Sequence, residues 1–318
     1  MNAIEALDRV GDLKQGGKAA VAAALAQLEV RPEAEASLAL LGQAWQLGRA
    51  GGGQVLGITG PPGVGKSTLT GALLKAARAS GRRVAVLAID PSSRRSGGAL
   101  LGDRLRVMSP AGDRDCFVRS MAARSRLGGL ADEAFPAITL LRALYDLVLV
   151  ETVGVGQSET DVADMADTVI FCVQPASGDA VQFMKAGIVE IPHIAVVTKA
   201  DLGAAAERAL ADLKAAVGLS PPLDGWSVAC IALAAQQTGA AGRLLALADS
   251  HLAHLKERDA LAAQRASQGR QWLRQAILAD YGRQGLEKLG PLPASMGSPF
   301  AALAGLRGRL GCGVEPGA

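Results

Sequence analysis

The chain has 318 residues, room for one large domain or one domain with helical additions. Apolar residues make up 49 % and aromatics only 3 %, so the core has to be built mainly from Ala, Leu, Val and Ile. The balance of 33 Lys and Arg against 30 Asp and Glu, a net +3, is too mild for a nucleic-acid-binding surface, and no basic stripe is interleaved with aromatics.

The beginning, MNAIEALDRV, carries Glu5 and Asp8 and lacks the continuous apolar stretch of a signal peptide. No run approaches the roughly 18 apolar residues of a membrane span. Four widely spaced cysteines (Cys116, Cys172, Cys230, Cys312), without a C-x-x-C pair, are expected as reduced thiols in a cytoplasmic protein. Residues 2–49 read as two or three helices, with Ile4, Leu7, Val10, Val21, Ala24, Leu25 and Leu28 at helical spacing. Breaks are expected at Gly16-Gly17 and Arg31-Pro32.

Val55, Leu56 and Ile58 predict a short buried strand, and Leu69, Ala72 and Leu73 the apolar face of a helix. Between them Gly60-Pro61-Pro62-Gly63-Val64-Gly65-Lys66-Ser67 fits G-x-x-x-x-G-K-[ST]. Strand, glycine loop and helix in this order form a phosphate-binding loop. Its glycines let backbone N–H groups turn towards a phosphate chain, Lys66 supplies a point charge, Ser67 offers a hydroxyl to magnesium, and Thr68 is expected among the nucleotide contacts. A nucleoside triphosphate is the expected ligand.

Arg83–Asp90 predicts a second strand, parallel to the first through the crossover helix, with Asp90 at its carboxyl end, where α/β folds bind ligands. The polar loop 91–107, with Gly97-Gly98 and Arg94-Arg95, is either a nucleotide-sensing switch, the favoured reading, or merely a long connection. A short strand is expected around Cys116–Met121, and Gly128-Gly129 precedes an expected helix to about Leu144. The apolar strand Leu147–Val150 runs into Glu151-Thr-Val-Gly154-Val-Gly-Gln157. An acid there can hold magnesium or its water, and the glycine N–H can meet a γ-phosphate. Further strands are expected at Thr168–Val173, His193–Val197 and Trp226–Ile231, with helices to about Glu190 and over 202–217. The last of the first two strands ends in Thr198-Lys199-Ala200-Asp201, similar to the guanine-reading [NT]-K-x-D. Asp201 can accept from both N1–H and the exocyclic amine of guanine, while the Lys199 stem lies over the base. Residues 238–284 read as helix, with the helical excess pointing to a partner subunit or to core cover. His251 and His254 are expected on the surface or at an interface, not as metal ligands, and the tail is expected ordered only around Phe300–Leu306.

The stretches GITGPPGVGKSTL, AIDPSS, GGALLGD, YDLVLVETVGVGQSE, DVADMADT, the PxxGDxxQ-like Pro175–Gln182 and TKAD together resemble MeaB/ArgK/MMAA-type P-loop GTPases, from the N-terminal helices to about residue 307. The fold class implied is α/β: a mostly parallel P-loop NTPase sheet flanked by helices. An N-terminal helical segment (1–50), a GTPase domain (51–236) and a C-terminal helical dimerisation arm and tail (237–318) are the expected divisions. The resemblance implies a G-protein chaperone that binds GTP/GDP and Mg2+ and forms a homodimer. It would gate cofactor loading on an adenosylcobalamin-dependent acyl-CoA mutase, most often methylmalonyl-CoA mutase. Carried over by motif, Lys66, Asp90, Glu151, Gly154 and Gln157 form the hydrolytic centre, and Ser67, Asp90, Asp103 and Glu151 surround the magnesium. A partner-sensing loop maps to Gln174–Lys185, through Asp179, Gln182 and Lys185, with Arg106 as a polar partner.

Thr198 stands where Asn is usual in this family, which is expected to loosen its loop, and Ile231-Ala232-Leu233 stands for Ser-Ala-Leu. The Ala232 N–H can still reach the guanine O6, but the bracing hydroxyl is missing. Lys185–His193 and Arg94-Arg95 also depart from the usual form and point to a specialised partner, such as an isobutyryl- or 2-hydroxyisobutyryl-CoA mutase. Only Gln157, Arg94 and Arg106 offer themselves to position water, so slow turnover is expected until a partner orders the switch loops. A kinase, a nickel-inserting GTPase and a nucleotide-stiffened regulatory scaffold are the competing classes.

Overall fold

The computed structural model describes residues 10–91, 112–123, 131–152, 161–175, 192–218, 225–289, 292 and 297–311. Seven parallel strands form one sheet: β1 (Gln54–Thr59), β2 (Val84–Pro91), β3 (Cys116–Ala123), β4 (Leu147–Thr152), β5 (Thr168–Val173), β6 (Ile194–Val197) and β7 (Ala229–Ala232). Their order is β3-β2-β4-β1-β5-β6-β7, so β1 lies in the middle. It pairs with β4 on one side and β5 on the other, with Leu56 opposite Leu149 and Thr168. Central strands carry side chains that are buried on both faces, as helix-covered parallel strands require.

Eight helices belong to the described residues: α1 (Val10–Val30), α2 (Glu35–Ala50), α3 (Lys66–Ala79), α4 (Ala131–Leu144), α5 (Ala204–Val217), α6 (Ala240–Glu257), α7 (Ala260–Leu289) and α8 (Pro299–Gly311). Side-chain alternation along β1 divides the core. Leu56 and Ile58 meet Leu69, Leu73 and Leu74 of α3 and Leu244 of α6 on one face, whereas Val55 points to the opposite face. There α1, α2, α4, α7 and α8 gather. Each fully buried Leu of α3 contributes about 1.5–3 kcal/mol. A third cluster joins α5 to β5 and β6 through Phe171, Val197, Ala206 and Leu213.

The few aromatics are concentrated where segments far apart in the chain meet. Phe135 of α4 stacks on Trp272 of α7 at 5.7 Å and lies 6.2 Å from Trp45 of α2, and Trp272 lies 4.8 Å from Phe300 of α8. Trp45 approaches α7 at Gly269, where a Cβ would come within 2.5 Å of its ring. The expected break at Gly16-Gly17 is a kink inside α1, with Gly17 at φ 65°. The last strand begins later than the expected Trp226: that residue makes only an isolated bridge, and the ladder runs over Ala229–Ala232. Cys116, Cys172 and Cys230 are free thiols. No helix among the described residues is long and apolar enough to cross a membrane.

Candidate nucleotide site

β1 ends at Thr59, in the centre of the sheet, and the chain turns through 60–65 into the N-terminus of α3. Gly60 makes this turn possible: its φ is +136°, and a Cβ would lie 2.2 Å from the Cys172 carbonyl oxygen of the adjacent β5. Gly63 and Gly65 are also left-handed, at φ 76° and 100°. Lys66 is buried, and its ammonium donates to the Gly60 and Pro61 carbonyls at 2.7 and 2.8 Å. The charge is thus held inside the ring of the loop, where a phosphate would replace the two carbonyls as its partner. Val64 is buried, while Pro62, Gly63 and Thr68 face solvent.

Register brings the acid to the loop. Glu151 of β4 is paired across the sheet with Ile58 of β1 and Ala88 of β2, so its side chain emerges beside the start of α3. The Ser67 hydroxyl donates to Glu151 Oε1 at 2.5 Å. Glu151 is 1 % exposed, and a buried carboxylate needs charge or hydrogen-bond donors close by. One step further on, Thr152 donates to Thr59 at 3.2 Å, tying the ends of β4 and β1 together. Ser67 and Glu151 present only hard oxygen donors at the phosphate end of the site, which suits a magnesium ion. Behind the loop, burial pushes the Cys172 thiol up to about 12, so it is an inert packing group.

The stretch expected to read the base lies on the neighbouring loop. Thr198 is buried, its N–H donates to the Val173 carbonyl at 2.8 Å, and its hydroxyl lies 2.7 Å from the Val64 carbonyl and 3.0 Å from that of Val173. Where loosening was expected from the absence of Asn, the threonine hydroxyl ties the end of β6 to the phosphate loop. Lys199 has left-handed backbone (φ 53°) and is exposed, and its ammonium donates to the Gly63 carbonyl at 3.2 Å and to Gln174 Oε1 at 2.6 Å. Asp201 is exposed in a short 3-10 turn, Ala200–Leu202. The Ala200 N–H donates to the Leu233 carbonyl at 3.3 Å, and Leu233 N–H to Val197 at 2.9 Å. Ala232 of β7 pairs with Val197 of β6, so the Ile231-Ala232-Leu233 stretch adjoins the 198–201 loop without the hydroxyl.

The structure therefore brings together Gly60 to Ser67, Glu151, Thr198, Lys199, Asp201, Ala232 and Leu233. Asp90 is the last but one residue of β2, at the same sheet edge, but its side chain lies outside the described residues, as do Arg94, Arg95, Asp103, Arg106, Gly154, Gln157, Asp179, Gln182 and Lys185.

Sequence reasoning missed two buried polar clusters at the opposite sheet edge. Arg265 of α7 pairs with Asp167, which precedes β5, and both are almost fully buried. An arginine in a helix reads as a solvated side chain, and no local pattern marked it otherwise. The expectation of His251 on the surface or at an interface fails as well, because the chain itself buries it. His251 is 1 % exposed, 4.2 Å from His193 and 4.8 Å from Trp226 between ring centroids, with Nδ1 2.8 Å from the Thr168 hydroxyl. The side of α6 that carries it packs on the sheet, and its closeness to His193 was invisible because 58 residues of chain separate them. Burial, aided by His193 and His254, holds His251 down at about 3.

A family model described as methylmalonyl-CoA mutase-associated GTPase MeaB matches residues 21–285. A Caulobacter vibrioides protein named as a GTPase is 37 % identical over 82 % of this chain and 81 % of its own length. A Pyrococcus horikoshii protein named in the same way is 47 % identical over 59 % of each chain, and the mouse methylmalonic aciduria type A homolog is 44 % identical over 46 % of this chain and 35 % of its own. The match thus spans well under two thirds of the length of the Pyrococcus and mouse relatives. Among solved structures, that of LAO/AO transport system kinase superposes with a TM-score of 0.70 at 25 % identity, covering 96 % of this chain and 98 % of that one.

Proposed function

This chain belongs to the methylmalonyl-CoA mutase-associated GTPase MeaB family, and from that premise we propose that it is a slow, partner-regulated GTPase. It would gate adenosylcobalamin loading on an acyl-CoA mutase and protect or reactivate that enzyme. The observation that carries the hydrolytic part is the contact of Ser67 with Glu151, 2.5 Å apart beside a lysine already enclosed by the phosphate loop. Methylmalonyl-CoA mutase is the first candidate partner, and isobutyryl- and 2-hydroxyisobutyryl-CoA mutases follow from the divergent 185–193 stretch.

The residues act by position and charge. Lys66 exchanges the Gly60 and Pro61 carbonyls for phosphate oxygens, and the N-terminus of α3 adds its dipole. Ser67 and Glu151, with Asp90 and Asp103, would hold magnesium, which neutralises charge on the phosphate chain when bound. Asp201 accepts from guanine, and the Ala232 N–H faces its O6. Gly154 would meet the γ-phosphate and Gln157 the attacking water. Asp179, Gln182, Lys185 and Arg106 are proposed to sense the mutase. A cytoplasmic homodimer assembled through the 237–318 arm completes the reading, and sedimentation of the purified protein checks it.

The decisive experiment measures GTP hydrolysis by the protein alone and with each candidate mutase, with ATP as the control. Stimulation by one mutase, with GTP but not ATP, is the expected result. Intact GTP binding without stimulation by any mutase would leave a nucleotide-stiffened scaffold, and a preference for ATP would overturn the assignment of Asp201.

A further inference from the structure

Lys199 is an unusual platform for a base. It is a non-glycine residue in the left-handed region, at φ 53°, and its side chain is solvent-exposed. A free lysine stem samples many rotamers, and fixing it on ligand binding would weaken affinity. Here the head is already held at two points before any nucleotide arrives. One is the phosphate-loop carbonyl of Gly63 at 3.2 Å, and the other is the carboxamide of Gln174 at 2.6 Å. The shorter, stronger contact is the one to Gln174. Gln174 is well placed for this, because it directly follows Val173, the last residue of the fully buried β5, whose carbonyl accepts the Thr198 N–H at 2.8 Å. Its amide oxygen accepts from the ammonium and so orients it.

We propose that Gln174 is a positioning residue of the base subsite: it holds the Lys199 stem in the pose on which the purine lies, so that the ordering cost is met before binding. The inference rests on the proposed guanine reading by residues 198–201. It assigns to Gln174 a task at the nucleotide, in addition to its place at the head of the proposed partner-sensing loop. Because the acceptor acts through Lys199, its removal has to matter only while Lys199 can use it.

The test is a double-mutant cycle on the full chain, read as GDP affinity by calorimetry, with Gln174→Leu, Lys199→Met and the two combined. Loss of one charge-assisted hydrogen bond predicts about three- to ten-fold weaker GDP binding for Gln174→Leu and under about two-fold further loss when Lys199 is already Met. Gln174→Glu, which keeps an acceptor at the same reach, is expected to bind GDP within about two-fold of the parent protein. Equal loss in both lysine backgrounds, failure of Gln174→Glu to rescue, or no loss at all would overturn the proposal. Asp201→Asn, assayed with GDP and xanthosine diphosphate, tests the underlying reading separately. An asparagine amide donates to the xanthine carbonyl that replaces the guanine amine, so preference should move to the xanthine nucleotide. Without that move the base reading fails, and with it the inference. If the preference moves and the cycle shows no coupling, only the role of Gln174 fails.

Discussion

Arg265 and Asp167 form a two-pronged ion pair across the base of the sheet, with Nε and Nη2 of the arginine 2.8 and 2.7 Å from the two carboxylate oxygens. Neither side chain is more than 1 % exposed. The pair joins four segments: Arg265 also donates to the carbonyls of Gly48, Gly51 and Gly53, and Asp167 accepts from the Val55 N–H at 2.8 Å. Burial alone would push the Asp167 carboxyl upward, but the Arg265 charge and hydrogen bonds outweigh it and hold the carboxyl below its usual range. The neighbouring Gln264 and Gln268 donate to backbone carbonyls at Ala166 and Asp167, so α7 is anchored on the turn that leads into β5.

Removing one partner of such a pair leaves the other buried and uncompensated. Arg265→Met should therefore cost about 3–5 kcal/mol of stability in urea denaturation, much of it recovered when Asp167→Asn is added. A loss under about 1 kcal/mol would show that the pair does not anchor α7.

Arg142 of α4 presents the opposite case. It is 1 % exposed, lies close enough to Arg265 to feel its charge, and has no hydrogen-bond partner for its guanidinium among the described residues. Burial, reinforced by Arg265, lowers it to about 10. Arg142→Met keeps the volume and removes a buried cation that only the charge of Asp167 offsets in part, so it should be neutral or raise stability by about 1–2 kcal/mol. Strong destabilisation in the same urea titration would contradict this.

The link between Thr198 and the phosphate loop predicts a binding phenotype. Thr198→Val keeps the shape and removes the hydroxyl, leaving the Val64 carbonyl without this donor. GDP affinity should fall about three- to ten-fold, with Thr198→Ser close to the parent protein in the same titration.

Acid should weaken the fold through the histidine cluster. His251 titrates at about 3 in the folded chain, against an ordinary value of 6.5, because it is buried beside His193 and His254 with only Asp167 opposing. A depressed histidine favours the neutral form. Its contribution is therefore complete above about pH 6.5 and is lost as pH falls towards 3. Between pH 7 and pH 5 the loss should be on the order of 1–2 kcal/mol. Denaturation series at both pH values, with His251→Asn as the comparison, read this directly: the variant should show the smaller pH dependence.

Lys66→Ala removes the cation enclosed by the phosphate loop, and GTP affinity should drop by about two orders of magnitude, or about 3 kcal/mol. The unliganded fold should survive, since the Gly60 and Pro61 carbonyls that lose the ammonium can be rehydrated.

Local chemistry made much of this protein legible in one dimension. The phosphate loop declares itself because the φ of Gly60 and the close approach to Cys172 admit only glycine, so backbone geometry is written as residue type. Buried strands such as Leu147–Val150 are legible because both faces are covered, which demands an unbroken apolar run. Glu151 was recognisable as the acid at a strand end, though its distance to Ser67 depended on the β1–β4 register.

Tertiary packing alone decided which polar residues are withdrawn from water. Arg142, Arg265, Asp167 and His251 carry no local mark of burial, because each is compensated or penalised by residues brought in from other segments. The Thr198 hydroxyl and Gln174 carboxamide likewise acquire their roles through loops that meet only when β1, β5 and β6 lie side by side. Residue type and spacing determine what the backbone can do locally. The environment of a charge is set by the sum of distant neighbours, and only the folded chain contains that sum.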